Sequence, residues 1–285
     1  MNVVEYLISN LERIGISDFF GVPGDYNFNI LYAIENNPDT NWVGCTNELN
    51  AGYASDGYAR QKGFGAVVTT YGVGELSAIN AIAGSYAENV PVINIVGTPS
   101  TKILEQNITF HHSFQEAGSK KFIKAFEQVT AETTFLNKDN AKIEIDRLLK
   151  IFVKERKPVY IAIPSEIAEL KISDKKTDYD WISNSNTLEK AVNAILAKID
   201  CAKSPVILAD ILIKRFDAKY EFIDFVEKSG IPVTNFLMGM NIINMDYKNY
   251  LGTYLSEFGN PQAKEAIDKT DCLISVGAIY GDLNS

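Results

Sequence analysis

The chain has 285 residues, of which 46% are hydrophobic and 22% are charged. These proportions are ordinary for globular proteins and exclude a disordered, collagen-like or coiled-coil architecture; at roughly 150 residues per domain, the length predicts about two domains. The formal net charge is −9. A negative surface repels phosphate groups, so neither a nucleic acid nor an anionic membrane surface is expected as a partner.

Helical and strand patterns alternate along the first half of the chain. The predicted helices lie at residues 3–14, 27–36, 48–61, 75–88 and 142–154, and the predicted strands at 18–21, 42–45, 66–70, 92–96 and 159–163. Several of the strand-like runs are almost continuously apolar, which is typical of parallel strands that are buried on both faces. The pattern therefore predicts an α/β fold with a doubly wound parallel sheet over residues 1–164.

Residues 165–186 are rich in polar side chains and have no period, so they are predicted to be a linker. Alternation then resumes, with helices predicted at 188–198, 220–228 and 263–269 and strands at 206–209, 232–235 and 272–276. This indicates a second parallel α/β domain over residues 187–285. Because no closing helix follows the last predicted strand, we expect this second domain to be truncated.

Cysteine usage and the N-terminal composition predict a cytoplasmic location. Cys45, Cys201 and Cys272 are far apart and form no CxxC pair, which supports neither a zinc ribbon nor a disulfide framework. Glu5 and Glu12 interrupt the first twenty residues, so no signal peptide is visible, and no apolar run is long enough to span a bilayer. A reducing compartment is therefore expected.

The most prominent generic motif is the pair Gly72 and Gly74, which follows a predicted strand and opens a predicted helix. A dinucleotide-binding turn has this shape. However, Ser77 occupies the position of the third glycine, and Glu75 places a carboxylate where a pyrophosphate would lie. A nicotinamide or flavin site is therefore disfavoured relative to a tight turn whose glycines adopt unusual backbone angles.

Polar side chains follow three of the predicted strands. They are Asp25, Glu48 and the adjacent pair His111 and His112, which are the two histidines of the chain. Ligand crevices in open α/β sheets lie at the carboxyl ends of the strands, so we expect these side chains to converge on one crevice. Histidines in such a place serve as proton carriers near neutral pH.

Each of these residues also has a purely structural interpretation. Glu48 fits an exposed acid at a helix N-terminus, Asp25 fits a helix cap, and the histidines fit a surface pair. Two adjacent histidines ligate one metal only with difficulty, and no third ligand lies nearby in sequence, so no metal site is predicted. The helix at 48–61 is rich in small residues, which suits close helix pairing at a subunit interface.

The motifs occur in the runs 21–27 (GVPGDYN), 47–54 (NELNAGYA), 56–60 (DGYAR) and 70–80 (TYGVGELSAIN), and in His111-His112. Together they resemble the thiamine-diphosphate-dependent 2-keto acid decarboxylases, of which the pyruvate and indolepyruvate decarboxylases are the nearest members. The resemblance covers the whole chain and is stronger up to Pro164. The Glu48 helix is shared by most of the wider superfamily, whereas the Gly-Asp-Tyr-Asn run and the histidine pair favour the decarboxylases.

The resemblance implies a domain arrangement and a cofactor. Residues 1–164 would bind the pyrimidine of thiamine diphosphate, and residues 187–285 would begin a Rossmann-like central domain. The family's third domain, which holds the diphosphate through Mg²⁺, is missing from this sequence. The chain alone is therefore expected to be inactive, and a second protomer, in a homodimer or homotetramer, would complete the cofactor site.

The resemblance also implies the reaction and the site residues. A 2-keto acid would lose CO₂ through a thiamine diphosphate ylid and an enamine, leaving an aldehyde. Glu48 would bind the aminopyrimidine ring and share a proton with it, while Asp25, His111 and His112 would relay protons. The residues that would line the pyrimidine pocket besides Glu48 are Pro23, Thr70 and Gly72.

Two other functions remain open from the sequence. A non-catalytic module of the same fold that only pairs with another subunit would be expected to lack Glu48 or the histidines. This chain lacks neither. A nicotinamide-dependent oxidoreductase is weakened by Ser77 and Glu75, as described above. Pyruvate, indolepyruvate and phenylpyruvate are the alternative substrates that the resemblance implies.

Overall fold

The computed structural model describes residues 1–106, 111–114, 121–175, 177–179 and 183–282. The chain divides into two compact units, Met1–Trp181 and Ile182–Ser285. Within the described ranges, no helix combines the length and the apolar character that crossing a membrane requires. The three cysteines are free.

A six-stranded parallel sheet forms the centre of the first unit. Its strands are β1 Asp18–Gly21, β2 Asn41–Gly44, β3 Gly65–Thr70, β4 Val92–Thr98, β5 Glu132–Phe135 and β6 Val159–Pro164. They lie in the spatial order β2, β1, β3, β4, β6, β5, so the chain crosses over between neighbouring strands. The carboxyl ends of β1, β3 and β4 therefore lie side by side at one edge of the sheet.

Helices cover both faces of this sheet. They are α1 Val3–Arg13, α2 Phe28–Glu35, α3 Glu48–Lys62, α4 Val73–Ala87, α5 Thr101–Glu105, α6 Lys121–Phe126, α7 Ala141–Glu155 and α8 Ser165–Ala168. Successive strand residues point to opposite faces, so Ile93 and Ile95 of β4 join the core under α1, α2 and α7, whereas Val92 and Val96 join the core under α3, α4 and α6. This two-sided burial explains why β3 and β4 are apolar almost throughout.

The second unit has a four-stranded parallel sheet in the order β10, β7, β8, β9. The strands are β7 Pro205–Ala209, β8 Val233–Asn235, β9 Tyr250–Thr253 and β10 Cys272–Val276, and the helices are α9 Ser185–Cys201, α10 Leu212–Arg215, α11 Lys219–Ser229 and α12 Pro261–Lys269. A core cluster between sheet and helices includes Ile207, Phe222 and Val233.

The predicted fold class, parallel α/β in both halves, is confirmed. The structure adds strands and short helices that the sequence pattern did not indicate. One of them is β5, whose sequence Glu-Thr-Thr-Phe lacks the apolar run of a central strand. It lies at the edge of the sheet, pairs only with β6, and needs little apolar surface for that reason.

The stretch 165–186, predicted to be a linker, differs from that expectation in its first part. It begins with α8, whose Ile167 and Ala168 are buried in the first unit's core, and Tyr179 is buried there too. Backbone groups also return to the start of the chain, where the N–H of Val3 donates to the carbonyl of Leu170 at 3.0 Å. Residues 176 and 180–182 of this stretch lie outside the described part of the chain.

Candidate active site

The loop after β1 and the turn after β3 pack against each other at the carboxyl edge of the first sheet. Gly24 in the loop lies so close to Thr70 that an added Cβ would stand 2.8 Å from the Thr70 Cβ atom. Gly97, near the end of β4, lies against the backbone carbonyl of Tyr26. Glycine is needed at both positions because a side chain would push the loop away from the strand ends.

Glu48 enters this edge as the first residue of α3. Asn47 caps the helix, accepting a hydrogen bond from the backbone N–H of Asn50 at 2.9 Å. The Glu48 side chain is half-buried, and its Oε1 atom would lie 3.1 Å from a Cβ added at Gly74. The carboxylate therefore points at the turn after β3 rather than into open solvent.

Thr70 and Gly72 form the floor beside Glu48. Thr70 is buried, and its hydroxyl oxygen has no hydrogen-bond partner within the described ranges. Gly72 has a positive φ of 76°, and a Cβ there would collide with the backbone carbonyl oxygen of His112. The lack of side chains at Gly72 and Gly74 therefore lets the His112 carbonyl and the Glu48 carboxylate approach the turn closely.

Asp25 and the two histidines meet above this floor. The imidazole Nε2 of His111 donates to Oδ2 of Asp25 at 2.7 Å, although 86 residues separate them in sequence. His112 has a positive φ of 62°, and the rings of the adjacent histidines lie 4.7 Å apart. The side chains of His111 and Asp25 are 59% and 47% exposed, so this hydrogen bond is open to a substrate.

The fold brings a third possible ligand group, Asp25, to the two histidines, although no such group lies near them in sequence. Ligand atoms of Asp25, His111 and His112 lie within 4.8 Å of one another. Zinc bonds of about 2.0–2.2 Å place ligand atoms roughly 3.4 Å apart, which is a tighter group than this one. The direct Asp25–His111 hydrogen bond favours proton transfer over metal ligation, and the absence of a metal remains a prediction.

Tyr26 and Tyr71 connect the histidines to the turn after β3. Tyr26 stacks on the His111 ring with centroids 5.4 Å apart, and it meets Tyr71 edge-on at 6.4 Å. Burial, and secondarily the charge of Asp25, raises the pKa of Tyr26. Burial also raises the pKa of Tyr71 to about 12. Both phenols therefore stay protonated near neutral pH and serve as hydrogen donors or packing surfaces.

Glu75 is fully buried directly beneath this turn. The backbone N–H of Gly72 donates to its Oε1 at 2.8 Å, and the Tyr160 hydroxyl donates to its Oε2 at 2.7 Å. Burial raises the pKa of Glu75 to about 7, and the two donors act in the opposite direction. Because the Gly72 N–H is already engaged, it is not free to bind a pyrophosphate, which weakens the nicotinamide interpretation further.

The small residues of α3 have a role different from the one expected. Gly52 lies so close to α4 that an added Cβ would stand 2.6 Å from the Ala81 Cβ, and Ala51, Ser55 and Ala59 are also buried. The small face therefore packs within the chain rather than providing a subunit interface. Tyr53 of α3 is 51% exposed, and its hydroxyl accepts a hydrogen bond from the Asn80 amide of α4 at 3.0 Å.

Three residues contribute to this edge in ways that the sequence did not predict. Tyr26 stands next to Asp25, so an aromatic neighbour was visible, but its stacking on His111 was not. Glu75 sits three residues after Gly72, a spacing that indicates a helix-capping acid. Tyr160 lies in a predicted strand, and nothing local indicates that its hydroxyl reaches Glu75. Pro23, which the resemblance assigned to the pocket, is exposed in the loop after β1.

Two family descriptions match the chain. Residues 1–122 match the family described as "Thiamine pyrophosphate enzyme, N-terminal TPP binding domain". Residues 192–285 match the family described as "Thiamine pyrophosphate enzyme, central domain". The first match contains each of the candidate residues Asp25, Glu48, His111 and His112.

Curated fungal proteins are similar over nearly the whole chain. Pyruvate decarboxylase isozyme 1 of Saccharomyces cerevisiae is 36% identical over 288 residues, which cover 99% of this chain and 51% of the relative. The pyruvate decarboxylase of Candida glabrata is 37% identical over 287 residues, covering 98% and 51%. The chain therefore spans about half the length of these relatives.

Proposed function

Because the chain belongs to the thiamine pyrophosphate enzyme family, we propose that it is part of an enzyme that converts a 2-keto acid to an aldehyde and CO₂ without oxidation. The cofactor would be thiamine pyrophosphate, also called thiamine diphosphate. The observation that carries this proposal is the placement of the Glu48 carboxylate beside Gly74 and the Thr70 hydroxyl, for which the described part of the chain offers no hydrogen-bond partner. The names of the relatives favour pyruvate as substrate, with phenylpyruvate and indolepyruvate as the alternatives.

The residues around Glu48 would hold the aminopyrimidine ring. Thr70 offers a buried hydroxyl that has no hydrogen-bond partner within the described ranges, and Gly72 and Gly74 let the His112 carbonyl and the Glu48 carboxylate pack closely against the turn. Pro23 would contribute from the loop after β1. Glu48 would share a proton with a ring nitrogen, which requires the carboxyl group to be shielded from water once the ring is bound. When bound, the cofactor supplies a thiazolium that accepts the electron pair released with CO₂.

Proton transfer to and from the substrate would be carried out by Asp25, His111 and His112. The His111–Asp25 hydrogen bond orients the imidazole, and its exposure allows a small keto acid to approach. A carboxylate and two imidazoles within 4.8 Å form a short proton path. Such groups contribute about 10²–10⁴-fold to proton-transfer steps when they are correctly placed.

We also propose how the rest of the enzyme is divided. Residues 1–164 would form the pyrimidine-binding domain and residues 187–285 the central domain. Mg²⁺ and the diphosphate would be bound by a region that corresponds to the part of the relatives outside this match. A second protomer, in a homodimer or homotetramer, would complete the site, and the predicted cytoplasmic location stays a prediction.

The proposal is tested by assaying the protein encoded by the whole reading frame with thiamine diphosphate and Mg²⁺. Pyruvate, phenylpyruvate and indolepyruvate are supplied in turn, and the aldehyde and CO₂ are quantified. We expect one molecule of each product per keto acid consumed, with no requirement for NAD⁺. Failure to release an aldehyde from any of the three acids, with the cofactor demonstrably bound, would refute the decarboxylase function.

A further inference from the structure

The structure places a buried acid where an exposed one would be sufficient to cap a helix. Glu75 accepts the Gly72 N–H in the first turn of α4, which is the contact that a capping acid makes. In α1, Glu5 makes the same contact with the N–H of Asn2 at 2.7 Å, and it does so at the surface. Burying a carboxyl group is costly, so capping alone does not explain the position of Glu75.

The second hydrogen bond of Glu75 ties the turn after β3 to a distant strand. Tyr160 lies in β6, is 2% exposed, and directs its hydroxyl to the carboxylate oxygen that Gly72 does not use. The carboxylate is therefore held from two sides, by the turn itself and by the sheet. This fixes Gly72 relative to the sheet more firmly than a cap on a single helix would.

Two contacts lead from this turn to the histidines. Gly72 lies directly against the backbone carbonyl of His112, so a shift of Gly72 moves the surface on which His112 rests. The adjacent Tyr71 packs edge-on against Tyr26, which stacks on His111. The first path runs from Gly72 to His112, and the second runs from the adjacent Tyr71 to the adjacent His111. Glu75 is therefore placed to influence both histidines.

We propose that Glu75 is a positioning residue, which with Tyr160 fixes Gly72 and Tyr71 and thereby sets the placement of His111 and His112. Its catalytic meaning rests on the function proposed above. Glu75 itself touches neither histidine in this arrangement and acts through the turn. The removal of either hydrogen bond should let the turn relax and the two imidazoles change their surroundings.

The experiment uses imidazole NMR on the full 285-residue chain, which has two histidines and hence two sets of ring resonances. Spectra are compared for the wild type, Glu75→Gln and Tyr160→Phe. Glutamine has one acceptor oxygen and keeps at most one of the two bonds, and phenylalanine removes only the Tyr160 bond. We expect both variants to shift the resonances of His111 and His112.

Hydrogen exchange of the Gly72 amide gives a second readout. If Glu75→Gln loses the hydrogen bond from the Gly72 N–H, exchange of this amide should become faster by on the order of tenfold or more. The matched control is Glu5→Gln, which makes the same substitution in the exposed capping acid of α1. It should leave both histidine spectra and the Gly72 exchange rate at their wild-type values.

Unchanged histidine resonances in folded Glu75→Gln and Tyr160→Phe would overturn the inference. If Glu75→Gln shows no thermal unfolding transition, Tyr160→Phe decides alone, because it deletes a single hydroxyl and leaves the capping contact intact. Turnover is not needed for either readout. Shifted resonances in this chain, together with no aldehyde from the cofactor-loaded protein of the whole reading frame, would refute the proposed function and support the positioning role. Unchanged resonances together with aldehyde production would support the proposed function and overturn the positioning role.

Discussion

The carboxyl edges of the two parallel sheets are built alike but carry different chemistry. At each edge a buried acid accepts backbone N–H groups beside a glycine with positive φ: Glu75 with Gly72 in the first unit, and Asp210 with Gly277 in the second. Only the first edge, within the described ranges, adds a group of a carboxylate and two imidazoles. Parallel topology therefore provides a place for a site, and the side chains decide whether chemistry occurs there.

The carboxyl edge of the second sheet has the buried acid and the glycine but lacks a described group of one carboxylate and two imidazoles. Asp210 is 1% exposed and accepts the N–H of Ile279 at 3.1 Å. A Cβ added at Gly239 would stand 2.8 Å from the Asp210 Cα, so the strand ends are closely packed there too. These contacts close the edge of the second sheet, whereas those of the first sheet leave Asp25 and His111 exposed above a glycine floor.

Glu48→Gln at the first edge should have the largest effect, and the effect should be on turnover. If Glu48 shares a proton with the cofactor, the amide should lower the rate of aldehyde formation by about 10²–10⁴-fold. Turnover is measured with the protein of the whole reading frame at saturating cofactor and substrate. The control is Asp210→Asn in the second unit, which should leave the rate per folded molecule near the wild-type value. Wild-type turnover by Glu48→Gln would remove the assigned role.

Gly72→Ala and Gly277→Ala form the next pair. Both glycines have positive φ, and an added Cβ would meet the His112 carbonyl in one case and the Ile213 nitrogen at 2.6 Å in the other. Strain and overpacking should lower the free energy of unfolding by about 3–4 kcal/mol in each variant. Urea unfolding measures this loss.

The same pair distinguishes the edges by function. Gly72→Ala should also shift the histidine resonances and reduce turnover of the molecules that remain folded, because the new methyl group displaces His112. Gly277→Ala should change stability alone. Equal losses of specific activity in the two variants would contradict the distinction between the edges.

The buried Glu75 predicts a pH-dependent stability. The pKa of this group is about 7 when folded and 4.5 when unperturbed, and it faces the two phenols of Tyr71 and Tyr160. A raised pKa stabilises the fold fully below pH 4.5, and this stabilisation is lost as the pH rises through 7. The difference corresponds to about 3 kcal/mol.

Urea unfolding of the wild type and of Glu75→Gln between pH 4.5 and 8 tests this linkage. The contribution from Glu75 should disappear in the variant, so its stability should fall less, or rise more, over this range. Parallel pH profiles for the two proteins would show that Glu75 does not take up its proton on folding.

Asp210→Asn should give the smallest effect. Burial raises the pKa of Asp210, and the N–H groups of Ile279, Ile211 and Gly239 act in the opposite direction. Its stabilisation is therefore also lost as the pH rises above the ordinary value of 3.8. The same unfolding series should show a smaller change in slope than Glu75→Gln does, and a larger one would reverse the comparison.

Elements with a strong local period were predictable. The apolar positions of α1 and α7 follow one helical face, and β3 and β4 are mainly apolar because both of their faces are covered. The edge strand β5 was not predictable, since its half-buried sequence carries no such run. The segment after Pro164 gave no indication that Tyr179 is buried, because the residues around it in sequence are mostly polar.

The candidate site divides in the same way. Glu48, Asp25 and the histidines were identifiable because they follow strand ends and lie within recognisable runs. That His111 bonds to Asp25 across 86 positions depends on the crossover that brings the segments after β1 and β4 together. The left-handed backbone of His112, which turns adjacent imidazoles toward one another, has no counterpart in the local pattern.

The parallel α/β class and the residues capable of proton chemistry are readable from the sequence, because hydrophobic period and side-chain type are local properties. Only the tertiary structure decided that Glu75 is buried between Gly72 and Tyr160, and that the small face of α3 packs on α4. Burial and hydrogen bonding depend on which distant segments the fold brings into contact, and those segments are 85 residues apart for Glu75 and Tyr160.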